Sequence, residues 1–148
     1  MIVKTKSKNI IKLTIPYPTV VKKNSKSFNR KTGIPYKSQR LREYEILAID
    51  KIKKQSLYFG FHYDYELPIT KPIIITYRFY QQRYSHKYNV PMGDISNLIE
   101  APQDCLERAG IIEDDTLIKK IKAYKYYDKD YPRCEIEISL YEEDSNDD

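Results

Sequence analysis

At 148 residues the chain has the length of one domain with its own core, and its 32% charged residues, formal net charge of +5 and pI near 9.0 favour an anionic partner, nucleic acid first. Two cysteines and two histidines, His62 and His86, exclude a disulfide or histidine-cysteine metal framework, and four glycines leave no phosphate-binding loop. The start has no signal-peptide run, and no segment approaches the roughly 18 consecutive apolar residues of a membrane span.

Residues 1–9 read as a polar, basic start. Ile10 to Ile15 alternates as a strand does, and Pro16 and Pro18 stop it. Val20 to Lys37 reads as irregular and basic, with Lys22, Lys23, Asn24, Arg30 and Lys31 ahead of a Thr32-Gly33 turn. It is either a solvated loop or a loop that holds phosphates. Ser38 is placed to cap a helix from Gln39 to about Lys54, with Leu41, Tyr44, Ala48 and Ile52 at helical spacing and Leu47 beside them on the core face. Gln55 to Leu67 is rich in Tyr and Phe and reads as a strand or a loop, its aromatics serving packing more readily than base stacking.

Ile73 to Tyr80 is the clearest strand. Its β-branched and aromatic run predicts a central position covered on both faces, or nearly so. Gln81 to Met92 is a polar connection in which His86 reads as a surface histidine. Gly93 and Asp94 then open a helix, with Asp94 or Ser96 as its cap. Ile95, Leu98, Ile99, Pro102, Cys105, Leu106 and Ala109 form one apolar stripe, while Asn97, Glu100 and Asp104 fall opposite it with Asp94 at the edge. Pro102 removes a hydrogen bond within this helix, and Gly110 ends it. An acidic turn, Glu113-Asp114-Asp115, follows. Leu117 to Tyr126 and Arg133 to Tyr141 read as the two arms of a hairpin, the second half-buried by its alternation. Cys105 and Cys134 read as reduced, buried thiols of a cytosolic protein. The whole predicts a single α+β domain over residues 1–141, a mixed sheet with helices packed on it, and an acidic, disordered tail over residues 142–148.

From Asp94 to Asp115 the charge balance of the chain reverses, with Asp94, Glu100, Asp104, Glu107, Glu113, Asp114 and Asp115 against the lone cation Arg108. A solvated helix face explains such a block, and so does a set of carboxylates that hold a metal ion amid lysines that hold a polyanion. The stretch Asp94-Ile95-Ser96-Asn97-Leu98-Ile99-Glu100, then Asp104-Cys105-Leu106, Gly110 and Asp114-Asp115-Thr116, resembles the RusA family of Holliday-junction resolvases. That family's pattern is Asp-x-Asp-Asn-x-x-Lys, an Asp-Ala-Leu-like tripeptide, a Gly, and an Asp-Asp pair ahead of a strand. Thr14-Ile15-Pro16-Tyr17-Pro18 with Lys22-Lys23-Asn24-Ser25, and Pro35 to Tyr44, look like its opening strand, basic loop and lead into the first helix. The likeness spans roughly residues 10–140.

This resemblance implies a metal-dependent endonuclease of recombination and repair, common in phages and prophages, acting in the cytoplasm of a bacterial or phage-infected cell. It implies a homodimer that places paired nicks across a four-way junction, with no membrane and no small-molecule substrate as partner. Hard oxygen ligands suit Mg2+ or Mn2+. By likeness Asp94 and Asp115 are first-choice ligands, with Asp114 a further or supporting one. Asn97 supports the site by hydrogen bonding, and Asp104 orients a basic neighbour or ligates through water. Lys22, Lys23, Asn24, Arg30 and Lys31, with Lys120 and Lys122, are the expected DNA contacts. Two positions depart from the pattern. Ser96 stands where many members carry the second aspartate, and Glu100 stands in place of the lysine, one turn away and in reach of substituting as a carboxylate ligand. These departures keep two alternatives open: a branched-DNA-binding protein of the same fold without cleavage, and a basic RNA-binding module.

Overall fold

Alternating apolar residues dominate three strands and settle where the core lies. The computed structural model describes residues 10–24, 26–62 and 66–142, so both the polar start and most of the acidic tail expected at 142–148 lie outside the described residues. In chain order the elements are β1 (Ile10–Ile15), a short pair β2 (Lys26–Phe28) and β3 (Pro35–Lys37), α1 (Gln39–His62), β4 (Ile73–Gln81), a second short pair β5 (Tyr84–Ser85) and β6 (Val90–Pro91), α2 (Ile95–Arg108), β7 (Ile118–Tyr127) and β8 (Arg133–Leu140). Four strands form one mixed sheet in the order β1-β8-β4-β7, antiparallel throughout except for β4 with β7. The fold is α+β, as its composition of elements predicts.

One face of the sheet is the core face. Leu13, Ile136 and Tyr77 lie in register across it, as do Ile11, Ile138 and Ile75, and all six are buried. Both helices pack on this face. Leu41, Tyr44, Ala48 and Ile52 of α1 meet Leu98, Ala101, Cys105 and Leu106 of α2 in one continuous cluster. The Tyr77 hydroxyl, deep under α2, donates to Gln103 Oε1 at 3.1 Å. Among the described residues no helix covers the other face, so β4 is sheltered by helices on one side only. Cross-strand pairs half-bury the remainder: Tyr80 stacks on Tyr126 at 5.1 Å, and the Arg133 guanidinium lies 3.7 Å from the Tyr80 ring centre.

Several sequence expectations change here. The last two long strands are not a hairpin. β4 lies between them, and residues 128–132 arch over its C-terminal end, where Asp128 N donates to Gln81 O at 2.9 Å. A period of two identifies a strand's buried face but not its neighbour. The most continuously apolar strand takes the centre, while the lysine-rich β7 takes an edge, where charge discourages pairing with other chains. The basic stretch from Val20 to Lys37 is not wholly irregular either: it contains a single 3-10 turn and the β2–β3 pair closed by Asn29, whose carbonyl and side chain cap the bend.

α1 is eight residues longer than its apolar pattern predicts and absorbs the start of the aromatic stretch assigned to a strand or loop. Ser38 caps it as expected, its hydroxyl accepting from Leu41 N at 3.2 Å. Gln55 explains the added length. Its amide accepts from Thr14 N at 2.9 Å and donates to Thr14 O at 2.8 Å, satisfying backbone groups of the edge strand β1. Leu47 is exposed, against expectation, and Glu45 takes the buried position instead. α2 runs unbroken through the buried Pro102 and ends where Gly110 adopts φ +79°. Among the described residues no helix is long and apolar enough to cross a membrane.

Both thiols are buried. Burial pushes Cys105 up to about 12 and Cys134 higher still, so neither forms thiolate at neutral pH. Ellman's reagent at pH 8 is therefore expected to titrate two thiols per chain in denaturant and none in the native protein within minutes. Rapid native labelling would show that the Cys105–Cys134 core opens locally.

Candidate functional site

The turn that starts α2 is fixed from three sides. Gly93 has φ +113°, which strains any residue with a side chain, and a Cβ there would stand 2.8 Å from Gln81 Nε2 and 3.2 Å from Leu98 Cδ1, displacing the Gln81 amide. Gln81 Nε2 donates to Met92 O at 3.0 Å. Lys125 of β7 donates to Pro91 O at 2.8 Å and to Gly93 O at 2.6 Å. On this platform Asp94 adopts extended backbone and caps α2, its Oδ1 accepting from Ser96 N at 3.0 Å and from Ser96 Oγ at 2.7 Å. Oδ2 faces Asn97 Nδ2 at a long 3.4 Å. Hydrogen bonds from Ser96, side chain first and then backbone, hold the Asp94 carboxyl below its ordinary value, and Lys23 adds a smaller pull in the same direction. Ser96 is thus the hydrogen-bonding partner of Asp94.

The other carboxylates gather further along. Asp104 is ion-paired with Lys22 at 2.6 Å. Glu107 is raised by burial first, then by repulsion from Asp115, Asp114 and Asp104. Asp114 caps the 3-10 turn Asp115–Leu117, accepting from Thr116 N at 2.7 Å and from the Thr116 hydroxyl, and these bonds lower its pKa. Asp115 and Glu100 are exposed.

The expected convergence of Asp94 with Asp114 and Asp115 does not occur within the chain. After Gly110 the chain folds back on Ile69, with Ile69 N donating to Ile111 O at 2.9 Å and Glu113 N to Ile69 O at 3.0 Å, so the acidic turn lies at the N-terminal end of β4. Asp94 lies at the C-terminal end, beside Gln81. The 14 residues of α2 separate the two ends by about 21 Å. Among the described residues no three His, Cys, Asp or Glu side chains stand close enough to hold a metal ion. A single-chain carboxylate cage for Mg2+ or Mn2+ is therefore not what these residues form. The oxygens suit such an ion chemically, but they are divided between a lone Asp94 and a cluster of Asp104, Glu107, Asp114 and Asp115.

The basic residues divide as well. Lys23 stands beside Asp94, and exposed Arg30 and Lys31 lie on the bend between β2 and β3. Lys22 is held by Asp104, and Asn24 lies in the 3-10 turn that packs on α2. Lys120 and Lys122 pair in register with Ile74 and Thr76, which puts them on the sheet face away from the helices and apart from the other expected DNA contacts.

Sequence reasoning missed three features. Glu45 of α1, 2% exposed, accepts through Oε2 from Lys37 at 2.9 Å and from Arg108 of α2, while its buried Oε1 has no partner among the described residues. Burial, then repulsion from Arg108 and Lys22, lowers the Lys37 pKa. Lys125 holds the Asp94 turn; its register with Ile121 and Ala123 on the core face was the available signal. Arg40 joins Arg83 in lining a cavity beside Gly93, and nothing in the spacing of Arg40 announces it.

A family model described as endodeoxyribonuclease RusA matches residues 16–139, and no curated protein gives a significant match.

Glu45→Ala is expected to destabilise the protein by roughly 2–3 kcal/mol in urea denaturation. A wholly buried pair would lose more, but Lys37 and Arg108 side chains are 42% and 50% exposed and water reaches them. Glu45→Leu combined with Lys37→Met and Arg108→Met is expected to recover most of the loss. A loss of stability too small to measure in Glu45→Ala would show that Glu45 does not tie α1 to α2.

Proposed function

The chain belongs to the RusA endodeoxyribonuclease family, and on that premise we propose that it binds branched DNA, four-way junctions above all, and hydrolyses their phosphodiester backbone with the help of a divalent cation. The observation that carries the reading is the family match across residues 16–139, a span that includes the Asp94 turn held by Ser96 and Lys125. Backbone contacts from Lys23, Arg30 and Lys31 would fix the strand without reading bases, leaving selection to junction shape and flexibility. Mg2+ or Mn2+ would neutralise charge on the phosphate. Asp94 is held ionised by Ser96 and is a weak base for that reason, so its role is to orient or to donate an oxygen rather than to take a proton. No coordination geometry is assigned, because the carboxylates of one chain do not converge. Two copies acting together would supply the paired cuts that the family implies.

A second reading, junction binding without cleavage, is favoured by a specific observation: Asp94 and the Asp114–Asp115 turn lie at opposite ends of α2. Glu100, an anion in place of the family lysine, favours it too.

A 5′-labelled synthetic four-way junction separates the readings. Nicks on opposed strands with Mg2+ or Mn2+, absent on linear duplex, are the expected result; binding in EDTA with no cleavage in either metal leaves the second reading. Preference for RNA over the junction would overturn both. In the cleaving case Asp94→Asn is expected to abolish nicking while binding is kept or tightened by roughly two- to tenfold, the effect of removing one negative charge near phosphate. Normal cleavage by Asp94→Asn would show that the reaction does not depend on this carboxylate.

A further inference from the structure

The geometry points to a second anion site: we propose that the cavity beside the Asp94 turn, holding Arg40 and Arg83, seats a DNA backbone phosphate neighbouring the one at Asp94. The identity of the anion as DNA rests on the nuclease reading above; the phosphate chemistry of the cavity does not.

The cavity has a volume of about 310 Å³, at the small end of ligand sites and sufficient for a phosphate with part of its sugar. Its walls come from four separate parts of the chain: the segment after β1, the first turn of α1, the end of β4 with the bend beyond it, and the Met92-Gly93 turn, closed at one edge by Pro132 of the β7–β8 arch. No carboxylate lines it. Arg40 reaches it from α1 and Arg83 from the bend after β4, and among the described residues neither is ion-paired. Two arginines that share the lining of one cavity, with no carboxylate there, favour an anion as its occupant. Their planar forks suit phosphate oxygens, and the Gln82 amide adds a further polar group.

The wall nearest Asp94 is rigid and close. Gly93 carries no side chain, Gln81 is bonded to Met92 O, and Lys125 fixes the Gly93 carbonyl. A strand whose phosphate sits in the cavity therefore passes the Asp94 carboxylate one residue from its wall. Met92 and Pro132 offer apolar surface at the rim for a deoxyribose. Hydrogen-bonded walls, two arginines in one lining and adjacency to the motif together distinguish this cavity from the bend between β2 and β3, where Arg30 and Lys31 stand exposed.

The test compares the full chain with Arg40→Gln, Arg83→Gln and the double variant, without divalent metal. Junction affinity is read by fluorescence anisotropy across a range of salt. Both arginines are exposed, so thermal unfolding is expected to be unchanged. The double variant is expected to lower the slope of log K against log salt by about 0.7 to 1, the release of one phosphate's counterion. Junctions carrying a single uncharged methylphosphonate, walked along one strand, add the local readout. One position is expected to weaken binding by wild type and to leave the double variant unaffected. An unchanged salt slope, or variants that feel every methylphosphonate as wild type does, would overturn the proposal while leaving junction binding and cleavage intact. If wild type binds no DNA, the nuclease reading falls with the DNA assignment. Inorganic phosphate, titrated by NMR, then decides the cavity itself: arginine side-chain shifts in wild type that vanish in the double variant establish a free-phosphate site, and no shifts overturn it.

Discussion

Glu45 is the constraint around which the helical layer is built. It lies on the core side of α1, between Leu41 and Ala48 in the helical repeat, where an apolar residue would pack without charge. Its buried carboxylate is instead compensated by Lys37 from β3 and Arg108 from the last turn of α2. Taking a carboxylate out of water is expensive, and a buried ion pair does not by itself add stability over an apolar contact. What it does is make one arrangement of three elements far better than its neighbours, because any slip of α2 along α1 leaves Glu45 buried and unpaired. The unpartnered Oε1 shows how little slack the arrangement has.

The same logic recurs along α2. Its first turn is held by Lys125 through Gly93 O, its middle by Lys22 through Asp104, and its last turn by Glu45 through Arg108. Three cations are thus engaged in mounting one acidic helix. Part of the lysine and arginine excess that suggested a polyanion partner is accounted for by the fold itself, and Lys23, Arg30, Lys31, Arg40 and Arg83 are among the cations that these ties leave unengaged. Lys120 and Lys122 lie apart, on the far face of the sheet.

Local signals were legible and partner choice was not. β1, the Asp94 cap, the apolar stripe of α2 and the Gly110 stop follow from residue type and period, and each stands as the sequence predicts. The β7–β8 pairing failed because alternation carries no information about which strand lies alongside. α1 outran its apolar pattern because Gln55 is useful only to a β1 edge that the sequence does not announce as its neighbour. Glu45 and Lys125 occupy core-facing positions of their elements, so the pattern pointed to them; their charge argued the other way, since burying it makes sense only once the partner is known. The motif around Asp94 was legible as chemistry, yet its spacing to Asp115 was ambiguous in space. A separation of 21 residues fits two carboxylates brought together by a turn, and equally two carboxylates held apart by a helix of about 21 Å.

That separation makes α2 an electrically polarised rod, which bears on how a strand of DNA can lie against it. At the N-terminal end a single carboxylate stands among Lys23, Lys125, Arg40 and Arg83, and the helix dipole adds positive potential there. At the C-terminal end Asp104, Asp114 and Asp115 repel the Glu107 carboxylate, which adds to its burial in raising the Glu107 pKa. A phosphate backbone is drawn to the first end more than to the second, where Lys22, Lys37 and Arg108 offset part of the acidic charge. The acidic block that looked in sequence like one site is therefore two regions of opposite consequence. The Asp94 end carries cations of its own for an anion, while the exposed Asp114–Asp115 turn favours added positive charge, such as a metal ion or a basic surface.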